Sequence, residues 1–254
     1  MIKSISFIGS GNVATQFALS FHSVGIKIIN IFSRNKITGK QLAKKVNANY
    51  TNEIKNIKEC DLIMICVNDD SIKKIANILP NVLMIHTSGC TSLDVFVNKN
   101  NFGVIYPVQT LTKDIKVNFK KIPICIEANN KITENKLNKL LSKVSGCINI
   151  MNSKNRKLLH LAAVISCNFS NYCYLIAQNI LEEQNIDFNL LNHLIKHTAD
   201  KNTKSKAYEN LTGPARRGDL MTIQNHIDLI NDKKYKKIYK LLSDSILNEY
   251  KKEL

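Results

Sequence analysis

The opening of the chain constrains its fold more than any other stretch. Ile5, Phe7 and Ile8 make a short apolar strand, and Gly9-Ser10-Gly11-Asn12-Val13-Ala14 follows at once in the frame G-x-G-x-x-A. Beyond it Phe17, Phe21 and Val24 recur at helical spacing up to Gly25. Strand, glycine turn and helix in that order are the fingerprint with which a parallel α/β sheet holds a dinucleotide. Gly9 permits the tight turn, Gly11 lets backbone N–H groups approach a pyrophosphate, and Ala14 lets the helix lie close on the strand. The unpaired N–H groups and the positive dipole end at the helix start then favour phosphate. Gly9, Ser10, Gly11, Asn12 and Val13 are therefore expected to bind the phosphates of a cofactor.

The same alternation continues through the first half. Ile26 to Phe32 reads as a second strand, followed by a helix through Leu42 and Val46. Asp61 to Val67 is a nearly continuous apolar run, as expected of a parallel strand buried on both faces. Asp69 or Asp70 is placed to cap the next helix, which turns Ile72, Ile75, Ile78 and Leu79 inward. Val82 to Ile85, Phe102 to Ile105, Pro123 to Glu127 and Cys147 to Met151 read as further strands, with a helix near Lys136 to Val144. From Ser153 the pattern changes: Leu158, Leu161, Ile165, Phe169, Tyr172, Leu175 and Ile180 keep a helical period, and no further strand run appears. The expected architecture is a doubly wound Rossmann-type α/β domain over residues 1–152, followed by an all-helical domain over 153–254.

Composition narrows the classes of function. A chain of 254 residues can bury a substantial core. Its seven cysteines are scattered and form no C-x-x-C pair, so they read as buried free thiols of a reducing compartment, with neither a disulfide frame nor a metal site. No secretory leader and no apolar stretch near the roughly 18 residues of a membrane span are evident, which predicts a cytoplasmic protein without a membrane partner. The net charge of +16 could signal nucleic-acid binding. The lysines are spread along the whole chain, however, which fits solvated helix faces and disfavours a nucleic-acid partner.

Candidate chemistry clusters at the expected carboxyl ends of the strands. After the second strand stand Ser33 and Arg34, where a site for NAD would place an acidic residue. A cation and a hydroxyl there suit a 2′-phosphate, so NADP is the expected cofactor. Val67-Asn68 and His86-Thr87-Ser88-Gly89 end two other strands and are expected to line the cofactor site. His86 could equally cap a helix or satisfy a backbone group. In the helical half, His160, Val164 and Asn168 are spaced by four, with Asn171 nearby, so they put a polar stripe on an apolar helix. Leu211-Thr212-Gly213-Pro214-Ala215-Arg216-Arg217-Gly218-Asp219 reads as a rigid loop with a cationic tip. Arg217 could clamp an anionic group, Asp219 could bind substrate or cap the following helix, and spacing alone leaves turn and clamp open.

Taken together, GSGNVA, HTSG, YPVQT, the RKLLHLAAVISCNFSNY helix and LTGPARRGD resemble, over nearly the whole chain, an uncharacterised bacterial family of Rossmann-like proteins with a C-terminal helical domain of unknown function. That family is similar to pyrroline-5-carboxylate reductase, the deazaflavin-dependent NADP oxidoreductases and the β-hydroxyacid dehydrogenases. The resemblance implies an NADP-binding domain, a helical domain that makes a homodimer, and a site between the two. Tyr106 stands before Pro107 where many relatives carry His-Pro, and the lysine of the β-hydroxyacid dehydrogenases is missing from the long helix. The expected function is an NADP-dependent oxidoreductase that moves a hydride to or from a small carbonyl, hydroxyl or imine substrate. In that reading His160 is the acid–base group, Asn168 orients the substrate, and Asn171, Arg217 and Asp219 contact it. A non-catalytic NADP-binding sensor or scaffold is the alternative.

Overall fold

The computed structural model describes residues 1–115 and 117–251, so the last three positions of the expected helical domain lie outside it. Contacts divide the chain into two units, Met1–Ile165 and Ser166–Leu254.

The first unit is built on one sheet of eight strands: β1 (Ser4–Ile8), β2 (Lys27–Phe32), β3 (Asn49–Thr51), β4 (Leu62–Ile65), β5 (Met84–His86), β6 (Phe102–Pro107), β7 (Ile124–Ala128) and β8 (Ile148–Ile150). Their order is β3-β2-β1-β4-β5-β6-β7-β8. Every pairing is parallel except β6 with β7, which is antiparallel. The first six strands thus have the doubly wound order, whose switch point lies between β1 and β4. The helices of this unit are α1 (Asn12–Ser23), α2 (Lys36–Lys45), α3 (Asp69–Ile78), α4 (Lys131–Leu141) and α5 (Ser153–Ala163).

Alternation along the strands explains the two-sided core. Ile5, Phe7 and Met64 pack with Phe17 and Phe21 of α1, Leu42 of α2 and Leu137 and Leu140 of α4. Their neighbours Ile8, Ile63 and Ile65 point the other way, onto Ile72 and Ala76 of α3. Two details differ from the sequence reading. The polar triplet Asn49–Thr51 forms an edge strand beside β2, too short to show an alternating pattern. The α3 N-cap is Asn68, while the Asp69 carboxylate accepts a hydrogen bond from the Ser88 hydroxyl at 2.7 Å.

The unit boundary falls within the long helical stretch, later than the expected break at residue 152. The reason is a set of anchors from α5 to the sheet. Ser153 donates to the Glu127 carboxylate from its N–H and its hydroxyl, both at 2.8 Å, and its hydroxyl accepts from the Leu93 N–H at 3.1 Å. Arg156, 1% exposed, forms an ion pair with Glu127 and donates to the Thr91 carbonyl. α5 therefore belongs to the sheet unit.

The second unit contains α6 (Ser170–Glu182), α7 (Asn192–Asn202), α8 (Ala207–Asn210), α9 (Leu220–Leu229) and α10 (Lys233–Tyr250). A π-helical segment, Val164–Phe169, joins α5 to α6. Asn179 donates to the Tyr235 hydroxyl at 2.7 Å, and Tyr208 stacks on Tyr250 at 4.4 Å between ring centroids.

One compositional expectation is corrected. Only Cys125 is buried; Cys60 and Cys66 are half-buried, and Cys90, Cys147, Cys167 and Cys173 are exposed. The helical stretch Ser153–Glu182 is long and apolar enough by length and composition to cross a membrane, and no residue of its most apolar 18-residue window is buried. Polar residues at Ser166, Asn168, Ser170 and Asn171 interrupt its apolar run, which is why no continuous span is visible in the sequence.

Candidate active site

The carboxyl ends of the parallel strands carry a cavity of about 570 Å³. Its wall includes Gly9, Ser10 and Gly11 from the β1–α1 turn, Ser33, Arg34 and Thr38 from the end of β2 and the start of α2, and Val67 and Asn68 after β4. Gly9 has φ +119°, and a Cβ there would sit 2.2 Å from the Cys66 carbonyl oxygen, so only glycine fits. Gly11 differs: a Cβ built on it meets nothing within 4 Å. The space above Gly11 is open, as the approach of a phosphate requires. Asn12 and Val13 form the first turn of α1, whose N–H groups have no partners within the helix.

Hydroxyl contacts tie this turn to the end of β2. Ser10 Oγ lies 2.8 Å from Ser33 Oγ and 2.7 Å from Thr38 Oγ1. Arg34 is exposed beside them, and Lys74 of α3 and Lys113 also line the cavity. Lys113 is brought in because the Gln16 amide of α1 donates to the carbonyls of Thr112 and Ile115, pinning the loop after β6. Three cations thus border the cavity, whose wall holds no carboxylate among the described residues. The sequence reading found Arg34 and missed Lys74, Lys113 and Thr38. Lys74, in the middle of α3, carries no local signal that would single it out from the other lysines of the chain.

The HTSG loop has another use. His86 is fully buried, accepts the Ser88 N–H on Nδ1 at 3.2 Å, and stacks on Phe96 at 5.6 Å. Burial, and then the nearby Arg156 guanidinium, push its imidazole down to about 3. Ser88 donates to Asp69 and accepts the N–H groups of Cys90 and Thr91. Both side chains help to shape the loop, and His86 keeps its Nε2 buried without a hydrogen-bond partner among the described residues. Gly89 of the motif is buried against His160: a Cβ there would lie 2.7 Å from both Cγ and Nδ1 of that residue. The glycine is what lets the His160 ring lie against the backbone.

His160 is half-exposed and its Nδ1 is 3.1 Å from the Tyr106 hydroxyl, with the rings edge-to-face at 5.8 Å between centroids. Tyr106 is the penultimate residue of β6, two residues past the partner of His86 in the register. A continuous set of contacts therefore runs from His160 through Gly89 and the Ser88–Asp69 bond to Asn68 on the cavity wall.

In the second unit Asn168 and Asn171 are exposed, as is Arg217. Arg216 is the structural arginine of the pair, with its guanidinium 3.9 Å over the Tyr250 ring. Asp219 is the N-cap of α9: its carboxylate accepts the Thr222 N–H at 3.0 Å and hydroxyl at 2.7 Å, which hold it below the usual carboxylate range. Asp219 thus serves as the cap, one of the two uses open to it in the sequence.

Residues 4–87 match the family described as NADP oxidoreductase, coenzyme F420-dependent, and residues 122–246 match a domain of unknown function, DUF2520. A Bacteroides fragilis protein, provisionally designated an NADP oxidoreductase, has 34% sequence identity, with 97% of this chain and 98% of that one covered at a TM-score of 0.91. The chain belongs to that NADP oxidoreductase family. Protein TM1727 of Thermotoga maritima is 25% identical over 98% of this chain and 97% of its own, at a TM-score of 0.71. At 11% identity the fold alone is shared with a reductive aminase from Aspergillus terreus, crystallised with NADPH and ethyl-5-oxohexanoate. Coverage there is 98% of this chain and 95% of that one, at a TM-score of 0.73. No curated protein matches the sequence significantly.

Proposed function

We propose that this protein is an NADP-dependent oxidoreductase acting on a small carbonyl or imine, or on the corresponding hydroxyl in reverse. The observation that carries the reading is the cation-bordered cavity over the open Gly11, with His160 reached from its wall by contiguous contacts. The residues present fit NADP: the α1 N-terminus faces the open space for a pyrophosphate, and Arg34 with Ser33 suits a 2′-phosphate. When bound, the nicotinamide supplies the hydride. His160 then holds a proton for the substrate oxygen or nitrogen as the carbon is reduced. Asn168 and Asn171 orient the substrate, and Arg217 pairs with an anionic group on it. A ketone- or imine-reducing relative in fold supports this substrate class.

The chain also acts as a homodimer in this proposal. Leu158, Leu161, Ile165, Phe169 and Leu175 expose about half of their surface or more along one helical stretch, and a contiguous apolar face of that kind marks an interaction site. The polar residues that interrupt the stretch favour a protein partner over lipid.

The test is NADPH oxidation, followed by absorbance, with ketones, ketone–amine mixtures and cyclic imines. The expected result is turnover with at least one class and a loss of roughly 10²–10⁴-fold in His160→Ala with NADPH affinity unchanged. Full turnover in that variant refutes the role of His160. A failure to bind NADPH refutes the reading as a whole.

A further inference from the structure

The ring of His160 is held on two sides. Gly89 lies flush against its Cγ and Nδ1, and the Tyr106 hydroxyl sits 3.1 Å from the same Nδ1. Tyr106 is itself 8% exposed and packs with Val104 and Cys125 against the sheet, so its hydroxyl cannot swing away to solvent. The atoms of His160 nearest Gly89 are Cβ, Cγ and Nδ1, while the residue stays half-exposed. With Nδ1 engaged by the hydroxyl, Nε2 is the ring nitrogen left for a substrate.

A neutral imidazole carries one N–H and one bare nitrogen, and the partner on one nitrogen decides which is which. The phenol O–H, which ionises near pH 10, is a far better acid than a neutral imidazole N–H and so the better donor of the two. We infer that Tyr106 is a positioning residue that donates to Nδ1 of His160, fixing the tautomer in which Nε2 carries the hydrogen and presents it to the substrate heteroatom. The inference rests on the reading of His160 as the acid–base group. The role is one of hydrogen bonding, in which no covalent bond is made or broken. It gives a purpose to the tyrosine before Pro107: β6 supplies the support, and α5 brings the imidazole. It also accounts for glycine in the HTSG loop, since any side chain at 89 would displace the ring from the hydroxyl.

The experiment is ¹⁵N-histidine NMR of the ligand-free protein at a pH where the ring is neutral, on wild type, Tyr106→Phe and, for assignment, His160→Gln. Wild type is expected to show the Nε2–H tautomer for His160. Tyr106→Phe keeps the ring packing, and is expected to show a mixture of tautomers and a kcat about tenfold lower, the equivalent of one hydrogen bond, with NADPH affinity unchanged. An Nδ1–H ring in wild type overturns the inference whatever the turnover, and so does an unaltered tautomer in Tyr106→Phe. Full turnover in His160→Ala overturns instead the functional reading beneath it, leaving the NMR result to stand as structure alone.

Discussion

Acidification should destabilise this protein largely through His86, and the structure sets the size of the effect. The ring is fully buried under Phe96 and near Arg156, and its titration is pushed from 6.5 down to about 3. The unfolded chain then binds a proton below pH 6.5 that the folded chain refuses until about pH 3. The contribution of the neutral ring is complete above pH 6.5 and is lost as pH falls through that window. By linkage the loss at pH 5 is about 2 kcal/mol, and the full shift corresponds to roughly 4–5 kcal/mol. That is a large share of a typical folding stability of about 5–15 kcal/mol. Urea unfolding at pH 7.5 and pH 5.0 measures it. In His86→Asn the amide oxygen can still accept the Ser88 N–H, but nothing titrates, so wild type should lose about 2 kcal/mol more than the variant between the two pH values. Groups such as Asp61, held below the usual range by the Lys3 N–H, titrate in both proteins and cancel in the difference. Equal losses in both proteins would refute the assignment of the acid sensitivity to His86.

Three further outcomes follow from the geometry. Gly11→Val should abolish NADPH binding at a cost of about 1 kcal/mol or less to the fold, whereas Gly9→Ala should destabilise the fold by ~2 kcal/mol or more through its positive φ and the Cys66 carbonyl; calorimetry and cofactor titration together separate the two, and normal NADPH binding by Gly11→Val would reduce the fingerprint to a turn. Wild type should bind NADPH more tightly than NADH, and Arg34→Ala should remove roughly one to two decades of NADPH affinity with NADH unchanged, while Lys113→Ala, on the loop pinned to α1, should weaken both cofactors by equal factors in fluorescence titrations. Arg156→Met strands the Glu127 carboxylate and should cost roughly 3–5 kcal/mol in urea unfolding; the double change with Glu127→Gln should recover a good part of it.

Much of this architecture is legible in the sequence because it is local. The strand–glycine–helix opening, the apolar run of β4 and the shift to a helical period near Ser153 all declare themselves within a dozen residues or so. The site is less legible wherever it depends on contacts across the chain. Nothing near Tyr106 announces that an imidazole 54 positions later will sit on its hydroxyl. Lys113 reaches the cavity only because Gln16, far back in the chain, holds its loop. His86 reads as a ligand because strand-end histidines often are, and only the packing of Phe96 and the bonding within the Ser88 loop show it to be internal. The beginning of α5 misleads for the same reason: its helical period is visible, but its allegiance to Glu127 is not.

That allegiance bears on how members of this family can be recombined. A chimera that joins the nucleotide-binding part of one relative to the helical part of another at residue 152 would pair a foreign Ser153 and Arg156 with a native Glu127 and Thr91, and would import the histidine without its tyrosine. Placing the crossover after Ile165 keeps donor and acceptor from one parent, so the graft would exchange the second unit while the bonded Tyr106 and His160 stay together.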